Sequence, residues 1–176
     1  DDESFFHWEL EFPEVFFDAE GEKISEAGFD AVMGNPPYVF IDSIPEILRS
    51  YLKNTSSTWD YRYDLYGSFT EFGHDVKREK GTFGYIIPHS ILNNNSFRDL
   101  RQFIVNQSES IDIIDFTSSV FKDASNEPMI LLTRKSRSNQ PILRGALLDP
   151  QDLMTAEEEL TEYSVKSISQ LPEKPF

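Results

Sequence analysis

The residues of this sequence best suited to chemistry lie in one short segment, Asn35-Pro36-Pro37-Tyr38, directly after an apolar run at 29–33 and Gly34. Each proline fixes its own φ at about −65° and keeps the preceding residue out of the helical region, so the segment is stiff and extended. A stiff loop with one carboxamide and one aromatic ring can hold a planar ring that bears an amino group. The same residues are also ordinary turn formers, and from the sequence alone both interpretations stand.

The surrounding sequence predicts the elements that must hold this segment in place. The run at 29–33 is typical of a buried strand, and open α/β sheets place their sites in loops at the carboxyl ends of such strands. Apolar residues recur at helical spacing at 44–52, which predicts a first helix. They do so again after Asp64, which is placed as the N-cap of a second helix expected to end at Gly81. One face of that helix is apolar and is predicted to cover the sheet: Leu65, Phe69, Phe72 and Val76.

Strand and helix patterns continue to alternate beyond this helix. Alternation that ends in two closely spaced strands predicts an α/β fold with a mostly parallel sheet and an antiparallel edge pair. The aromatic opening at 5–17 is expected to pack against the sheet, and the polar stretch at 53–60 is expected to be a mobile loop. The further elements are strands at 83–88, 111–116 and 129–133, a helix capped by Ser96, and a candidate strand at 141–148.

Composition limits the class of protein. The 176 residues, 39% hydrophobic and 14% aromatic, suffice for one domain with a substantial core. No run approaches the roughly 20 apolar residues of a membrane helix, and the start has no signal-peptide pattern, so no membrane partner is expected. The lack of cysteine excludes disulfides and thiolate metal sites and is compatible with a cytoplasmic location. With three scattered histidines, no metal site is predicted.

The net charge of −15 is concentrated at the two ends of the chain. Residues 1–30 hold 11 acids and one base, and residues 149–176 hold 7 acids and two bases. Residues 31–148, which carry the motif, hold 13 acidic and 13 basic residues and are therefore balanced in charge. Phosphate binding depends on lysine and arginine, so this neutral centre permits a nucleic-acid partner without indicating one.

Four motifs follow one another along the chain: Gly34-Asn35-Pro36-Pro37-Tyr38, Asp64-Leu65-Tyr66 with Phe69, Phe83-Gly84-Tyr85-Ile86-Ile87-Pro88, and Val120-Phe121-Lys122-Asp123-Ala124. In this order they resemble the amino-methylating DNA methyltransferases, most closely the adenine methylase part of type IIG restriction-modification enzymes. The upstream FHWELEFPEVF also occurs there, so the resemblance covers roughly residues 5–135. It implies a Rossmann-like class I methyltransferase fold and S-adenosylmethionine-dependent methylation of the exocyclic amino group of adenine in DNA.

The resemblance also implies roles for single residues. The Asn35 side-chain oxygen and the Pro36 backbone carbonyl would accept the two amino hydrogens of adenine. The adenine would first be flipped out of double-stranded DNA, with Tyr38 stacked on one of its faces and Phe121 on the other. The cofactor S-adenosylmethionine would contact Pro37, Leu65 and Phe69. For Phe121, Leu65 and Phe69 the alternative of plain core packing stays open.

One departure from the family pattern concerns the cofactor. Such enzymes carry a Gly-rich turn before this region to hold S-adenosylmethionine, and no such turn precedes Phe29. The chain is therefore expected to be the C-terminal half of the methyltransferase sheet, with cofactor-binding and target-recognition regions elsewhere in a parent protein, and to be inactive alone. We divide it into a catalytic half at 1–137 and an extension toward target recognition at 138–176. Alternatives left open are methylation of RNA or of protein glutamine, and a non-catalytic interaction module.

Overall fold

A computed structural model of the chain describes residues 6–59, 64–121, 127–136 and 141–163. These residues form a six-stranded sheet in the order β1-β2-β4-β3-β5-β6. None of the helices they form is long and apolar enough to cross a membrane. The strands are β1 Phe29–Gly34, β2 Lys77–Pro88, β3 Ser108–Phe116, β4 Pro128–Lys135, β5 Ile142–Leu148 and β6 Thr161–Tyr163. The α-helices are α1 Trp8–Glu11, α2 Pro13–Phe16, α3 Glu46–Thr55, α4 Leu65–Asp75, α5 Arg98–Asn106 and α6 Ala156–Glu159.

The strand directions bring several loops to one side of the sheet. β1 runs parallel to β2, while β4 runs antiparallel to both β2 and β3. β5 runs parallel to β3, and β6 returns antiparallel to β5. The loops that leave β1, β2, β3 and β5, and the loop that enters β4, therefore lie on the same side. We call this side the carboxyl end of the sheet, and it is where α/β proteins place their sites.

The predicted α/β class and the predicted strands are confirmed, but the sheet is mixed and not mostly parallel: two strand pairs are parallel and three are antiparallel, because β4 and β6 run against their neighbours. β3 and β4 are antiparallel as expected, but β4 lies between β2 and β3, and the antiparallel pair at the edge is β5 with β6. The candidate strand at 141–148 is present as β5, and its pairing with β3 continues the sheet past residue 138. The assignment of 138–176 to an extension toward target recognition stays a prediction.

Aromatic rings fix the start of β1, which confirms that the opening of the chain packs against the sheet. The Phe29 ring makes three edge-to-face contacts with centroid distances of 5.3 to 5.6 Å. Gly28 has a φ of +123°, and a Cβ there would lie 2.5 Å from the Arg78 backbone nitrogen, so only glycine fits. The three rings around Phe29 are those of Trp8, Phe12 and Phe16.

Helix boundaries differ from the prediction at three places, the first being α3, which covers Glu46–Thr55 instead of 44–52. The helix after Asp64 ends at Asp75 instead of Gly81, because parallel pairing with β1 draws residues 77–81 into β2. Ser96 does not cap α5, which begins at Arg98. The side chain of Asn94 instead accepts a hydrogen bond from the Ser96 backbone N–H at 3.0 Å, in a short 3-10 helix that precedes α5.

The face of α4 that covers the sheet is not the predicted one. Phe69 and Phe72 are 41% and 46% exposed, so they do not form the interface with the sheet. A Cβ at Gly73 would lie 2.7 Å from the Phe83 ring, so α4 approaches β2 too closely for a large side chain at this point. The buried positions on this helix include Tyr66, Thr70, Gly73 and His74.

The loop after α3 is held in place up to Thr58, contrary to the expected mobility. The Glu71 carboxylate of α4 accepts hydrogen bonds from the Ser57 backbone N–H at 2.7 Å and from the Thr58 hydroxyl at 2.7 Å. Ser56 also donates to it. Burial raises the pKa of Glu71, but these hydrogen bonds outweigh burial and lower it below the ordinary value. The glutamate is therefore charged and fixes the loop to α4; residues 60–63 lie outside the described part.

A buried amine lies at the opposite end of the sheet from the carboxyl end. The Lys77 ammonium is fully buried, donates to the Thr133 hydroxyl at 2.8 Å and lies 5.4 Å from the centre of the Phe83 ring. Burial and the neighbouring Lys135 lower the pKa of Lys77 to about 7. Burial also places the pKa of the adjacent His74 well below its usual range. The folded protein therefore disfavours a positive charge at this position.

This arrangement predicts a pH dependence of stability between about pH 7.5 and 9.5. There the unfolded chain holds a proton on Lys77, with its ordinary pKa of 10.5, that the folded chain has lost. Because unfolding takes up this proton, the free energy of unfolding should rise with pH, by up to about 1.4 kcal/mol per unit. Urea unfolding at several pH values should show this slope, and Lys77→Met should remove it. Lys53→Met, an exposed control on α3, should keep it; an unchanged slope in Lys77→Met would contradict the prediction.

Candidate active site

The Asn35-Pro36-Pro37-Tyr38 segment leaves β1 at the carboxyl end of the sheet, as predicted. β1 ends at Gly34, and residues 35–40 have no regular secondary structure. Asn35 and Pro37 are exposed, while Pro36 between them is buried. The stiff segment therefore presents the Asn35 carboxamide to the outside while its second residue is packed against the protein.

Tyr38 is fixed at both its hydroxyl and its ring. The hydroxyl donates to the backbone oxygen of Ile86 on β2 at 2.8 Å. The ring meets that of Tyr66 at a centroid distance of 6.0 Å and an interplanar angle of 74°, which is an edge-to-face contact. Burial raises the pKa of Tyr38, so its hydroxyl stays protonated at neutral pH. The side chain is half-buried, so part of it remains accessible beside Asn35.

The first turn of α4 is joined to the loop that follows Tyr38. The Leu65 backbone N–H donates to the Val39 oxygen at 2.9 Å. Asp64 occupies the N-cap position, but its side chain does not cap α4. Burial raises the pKa of Asp64, and a hydrogen bond to its carboxylate from the Ile41 backbone N–H partly offsets this. The carboxylate thus binds the motif loop in place of its own helix, since the Ile41 amide lies within its reach.

Leu65 and Phe69 lie where they can offer apolar surface next to this loop. Leu65 is partly buried in the first turn of α4, and Phe69, one turn later, is 41% exposed. Pro37, in the loop to which this turn is bonded, is exposed as well. The exposure of Phe69 argues against plain core packing for this residue, which was the alternative left open by its helical spacing.

Phe121 also lies at the carboxyl end of the sheet, in the loop between β3 and β4, and is 38% exposed. The remainder of the motif that contains it, residues 122–124, falls outside the described residues.

A histidine and an aspartate, which sequence reasoning missed, hold the base of this loop. His89 Nδ1 lies 2.8 Å from Asp115 Oδ2, and the His89 backbone N–H donates to Glu127 O at 2.8 Å.

Sequence reasoning also missed Tyr66 and Ser90. Tyr66 is 1% exposed, and its hydroxyl lies 3.0 Å from the Ser90 Oγ. Ser90 belongs to a short 3-10 helix directly after β2. Tyr66 stands inside a recognised motif, Asp64-Leu65-Tyr66, which was the available signal. Its contact with Tyr38 could not be foreseen because 27 intervening residues separate the two positions in the printed sequence.

Five basic residues between positions 98 and 137 are candidates for phosphate contacts, and most of those described have structural partners. An Arg101 nitrogen donates to the backbone oxygens of Ile91 and Asn94 at 2.6 and 2.8 Å. Arg134 lies 2.9 Å from a Glu109 carboxylate oxygen, at the far end of β4 from the motif. Lys135 donates to the backbone oxygens at His74 and Lys77, Arg98 is exposed, and Arg137 lies outside the described residues.

The end of β1 carries a ring and two groups that are predicted to accept hydrogen bonds. These groups are the carboxamide oxygen of the exposed Asn35 and the backbone carbonyl of the buried Pro36. The ring is that of Tyr38, held by contacts to β2 and α4. Acceptors that do not remove a full proton are suited to the amino group of a conjugated, planar ring, which the neighbouring aromatic side chain can stack against.

Two curated relatives are similar over the part of the chain that contains these residues. The type II methyltransferase M.TthHB8I of Thermus thermophilus is 29% identical over 114 residues, which are 61% of this chain and 26% of that protein. The type II methyltransferase M.BstVI of Geobacillus stearothermophilus is 30% identical over 120 residues, 66% of this chain and 21% of that protein. This chain thus spans about a quarter or less of the length of these relatives.

Solved structures show the same fold. The ATP-dependent type ISP restriction-modification enzyme LlaBIII, solved bound to DNA, matches with a TM-score of 0.60 at 17% identity, over 81% of this chain and 12% of that one. The methyltransferase subunit of a type I restriction-modification system from Streptococcus thermophilus matches with a TM-score of 0.54 at 16% identity, over 70% and 27% of the two chains. A putative class I S-adenosylmethionine-dependent methyltransferase from Listeria monocytogenes matches with a TM-score of 0.56 at 16% identity, over 78% and 42% of the two chains, which confirms the expected class I methyltransferase fold.

The family match covers the motif loop, α4, β2 and α5 together. Residues 1–121 of the 176 match the family described as Eco57I restriction-modification methylase. The matched range includes every residue predicted for the site, from Asn35 to Phe121. By this match, by the similar type II methyltransferases and by its fold, the chain belongs to the Eco57I restriction-modification methylase family.

Proposed function

We propose that this chain is the catalytic half of an S-adenosylmethionine-dependent methyltransferase that acts on the exocyclic amino group of adenine in double-stranded DNA, within a restriction-modification protein. The observation that carries the proposal is the exposed carboxamide of Asn35 beside the fixed ring of Tyr38 at the carboxyl end of β1. Family membership supports it, because the relatives described above are type II methyltransferases.

The exocyclic nitrogen of adenine is a poor nucleophile because its lone pair is conjugated with the ring. On our proposal the Asn35 side-chain oxygen and the Pro36 carbonyl each accept one of its hydrogens. Two acceptors on one nitrogen favour a pyramidal geometry, in which the lone pair leaves the plane of the ring. An amide oxygen suits this role because it is too weak a base to take the proton before transfer. The surplus proton is lost afterwards.

Target access requires the base to leave the duplex, at a cost of a few kcal/mol. Stacking on aromatic rings recovers roughly 1 to 3 kcal/mol per contact. Tyr38 would stack on one face of the flipped adenine and Phe121, at the same end of the sheet, on the other. The accessible parts of both side chains support this assignment.

Three residues of the chain fit the cofactor, Leu65 and Phe69 beside its adenine ring and Pro37 on its methionine side. Pro37, Leu65 and Phe69 form apolar, partly exposed surface on the motif loop and on the adjoining first turns of α4. Such surface is suited to an adenine ring, which prefers apolar neighbours above and below its plane. Bound S-adenosylmethionine would supply a methyl group activated by its sulfonium. The main cofactor-binding region would lie in another part of the parent protein, so the isolated chain should bind the cofactor weakly and should not turn over.

Methyl transfer by the full-length protein tests the proposal. Tritiated S-adenosylmethionine is offered with unmethylated DNA, RNA and protein in parallel, and label is expected in DNA, at the adenine amino group. Label in RNA or protein alone would favour the alternative substrates, which present a similar conjugated nitrogen. Cofactor binding with no transfer to any of the three would indicate a non-catalytic module. Calorimetry on the isolated chain adds a second check, because affinity equal to that of the full-length protein would contradict the missing cofactor region.

A further inference from the structure

We propose that Tyr66, anchored by Ser90, is a positioning residue that sets the plane of the Tyr38 ring and thereby the angle at which a target base can stack. The inference deepens the proposed function and rests on it, because base stacking by Tyr38 belongs to that proposal. Nothing in the four motifs themselves assigns this task to Tyr66. It follows from contacts that only the folded chain brings together.

Tyr66 is anchored on three sides. Its side chain is 1% exposed, its ring lies 5.0 Å from that of Phe97, and its hydroxyl lies 3.0 Å from the Ser90 Oγ. Ser90 follows β2 directly, so the hydroxyl is tied to the sheet while the backbone belongs to α4. Burial raises the pKa of Tyr66 far above the ordinary tyrosine value, so the hydroxyl keeps its proton for this hydrogen bond.

The hydrogen bond of Tyr38 to Ile86 cannot by itself fix the Tyr38 ring. That bond holds the hydroxyl oxygen, which lies on the long axis of the side chain, and rotation about this axis leaves the oxygen where it is. A neighbouring ring at 74° to the Tyr38 plane and 6.0 Å from its centre opposes that rotation. Tyr66 is thus a contact that sets the ring plane, whereas the Ile86 hydrogen bond sets only the position of its tip.

The backbone of the motif loop is tied to the same helical turn. Leu65 donates to the Val39 oxygen at 2.9 Å, and the Asp64 carboxylate accepts from the Ile41 amide. Ring and loop are therefore positioned by one rigid element. A single edge-to-face neighbour also cannot cover both faces of a ring, so Tyr66 leaves a face of Tyr38 for a base. The Asp64-Leu65-Tyr66 motif would then serve the target site as well as the cofactor.

A double-mutant cycle in the full-length protein tests this inference. Tyr66→Leu, Tyr38→Ala and the double variant are compared for the KM of DNA and for the affinity of S-adenosylmethionine. If Tyr66 acts through Tyr38, Tyr66→Leu alone should raise the KM for DNA about 5-fold or more, and should add little once Tyr38 is alanine. Cofactor affinity should change less than 2-fold. Additive effects on KM, as expected of a purely structural core residue, would overturn the inference.

Two milder variants test the same contact in case Tyr66→Leu fails to fold. Tyr66→Phe and Ser90→Ala each remove one partner of the hydroxyl contact and keep the core filled, and both should raise the KM for DNA in the same direction by a smaller factor. Tyr51→Phe is the matched control, because Tyr51 on α3 is 62% exposed and lies outside the motif. If the KM for DNA of Tyr66→Phe and of Ser90→Ala equalled that of this control, the result would count against the anchoring role of Ser90.

A readout without DNA separates this inference from the proposed function. Hydrogen exchange at the Leu65 amide, which donates to the Val39 oxygen of the loop, should be at least several-fold faster in Tyr66→Leu than in Tyr51→Phe, because the loop loses its support. If the wild-type protein fails to methylate DNA, the proposed function is wrong, and exchange still decides whether Tyr66 holds the loop. If wild-type methylates DNA but exchange and KM are unaffected in the variants, only the positioning role fails.

Discussion

Replacing Asn35 by alanine in the full-length protein is expected to slow methyl transfer by at least about 100-fold while S-adenosylmethionine binding changes little. The carboxamide of Asn35 is exposed at the end of β1, where it supplies one of the two proposed acceptors for the adenine amino group. The Pro36 carbonyl alone can hold one hydrogen but cannot bring the lone pair out of the ring plane. Single-turnover transfer at saturating DNA and calorimetry with the cofactor measure the two quantities separately.

Asn54→Ala provides the matched control for this experiment. Asn54 is an exposed asparagine on α3, so its loss removes a carboxamide of the same kind outside the motif. Its transfer rate should equal that of the wild-type protein. If Asn35→Ala turned over at a comparable rate, Asn35 would have no part in the mechanism. If it lost cofactor binding as well, the side chain would hold the loop or the cofactor and not the amino group.

Replacing Tyr38 by alanine should weaken binding of the target base by about 5- to 150-fold, which corresponds to the roughly 1 to 3 kcal/mol of one stacking contact. The Tyr38 ring is half-buried and fixed between Ile86 and Tyr66, so it is already oriented before a base arrives. The KM for DNA and the affinity for S-adenosylmethionine are to be measured on the same preparation. Losses of equal size in both would count against stacking as the role of this residue.

Tyr38→Phe separates the ring from its hydroxyl. Phenylalanine keeps the stacking surface and the contact with Tyr66, and it loses only the hydrogen bond to the Ile86 oxygen. We therefore expect Tyr38→Phe to bind DNA much closer to the wild-type protein than Tyr38→Ala does. A loss as large as that of the alanine variant would mean that the hydroxyl, and not the ring, is the important group.

The motif loop and most of the sheet could be predicted from local sequence. Two consecutive prolines dictate an extended loop wherever they occur, and the apolar run before Gly34 is short enough to indicate a strand. The placement of Asn35 at the carboxyl end of β1 follows from these two facts and from the general geometry of α/β sheets. What could not be predicted was the support of Tyr38, because Ile86 and Tyr66 come to it from other elements.

The predicted face of α4 shows why apolar periodicity can mislead. Leu65, Phe69 and Phe72 recur at helical spacing, and such a stripe usually marks the side buried against a sheet. The structure buries a different side, because contact with the Phe83 ring leaves no room for a Cβ at Gly73. Phe69 therefore stays partly exposed, one turn after Leu65, whose N–H is bonded to the motif loop.

The sequence by itself determined the elements that depend on neighbours in the chain: the α/β class, the proline-stiffened loop, the strand that precedes it and the membership signalled by four ordered motifs. Only the tertiary structure decided the position of β4 inside the sheet, the inward face of α4, the binding of Asp64 to the Ile41 amide and the pairing of Tyr38 with Tyr66. The physical reason is one of range. Backbone sterics and periodicity act over a few residues, whereas close packing and hydrogen-bond partners are chosen among side chains that folding alone brings together.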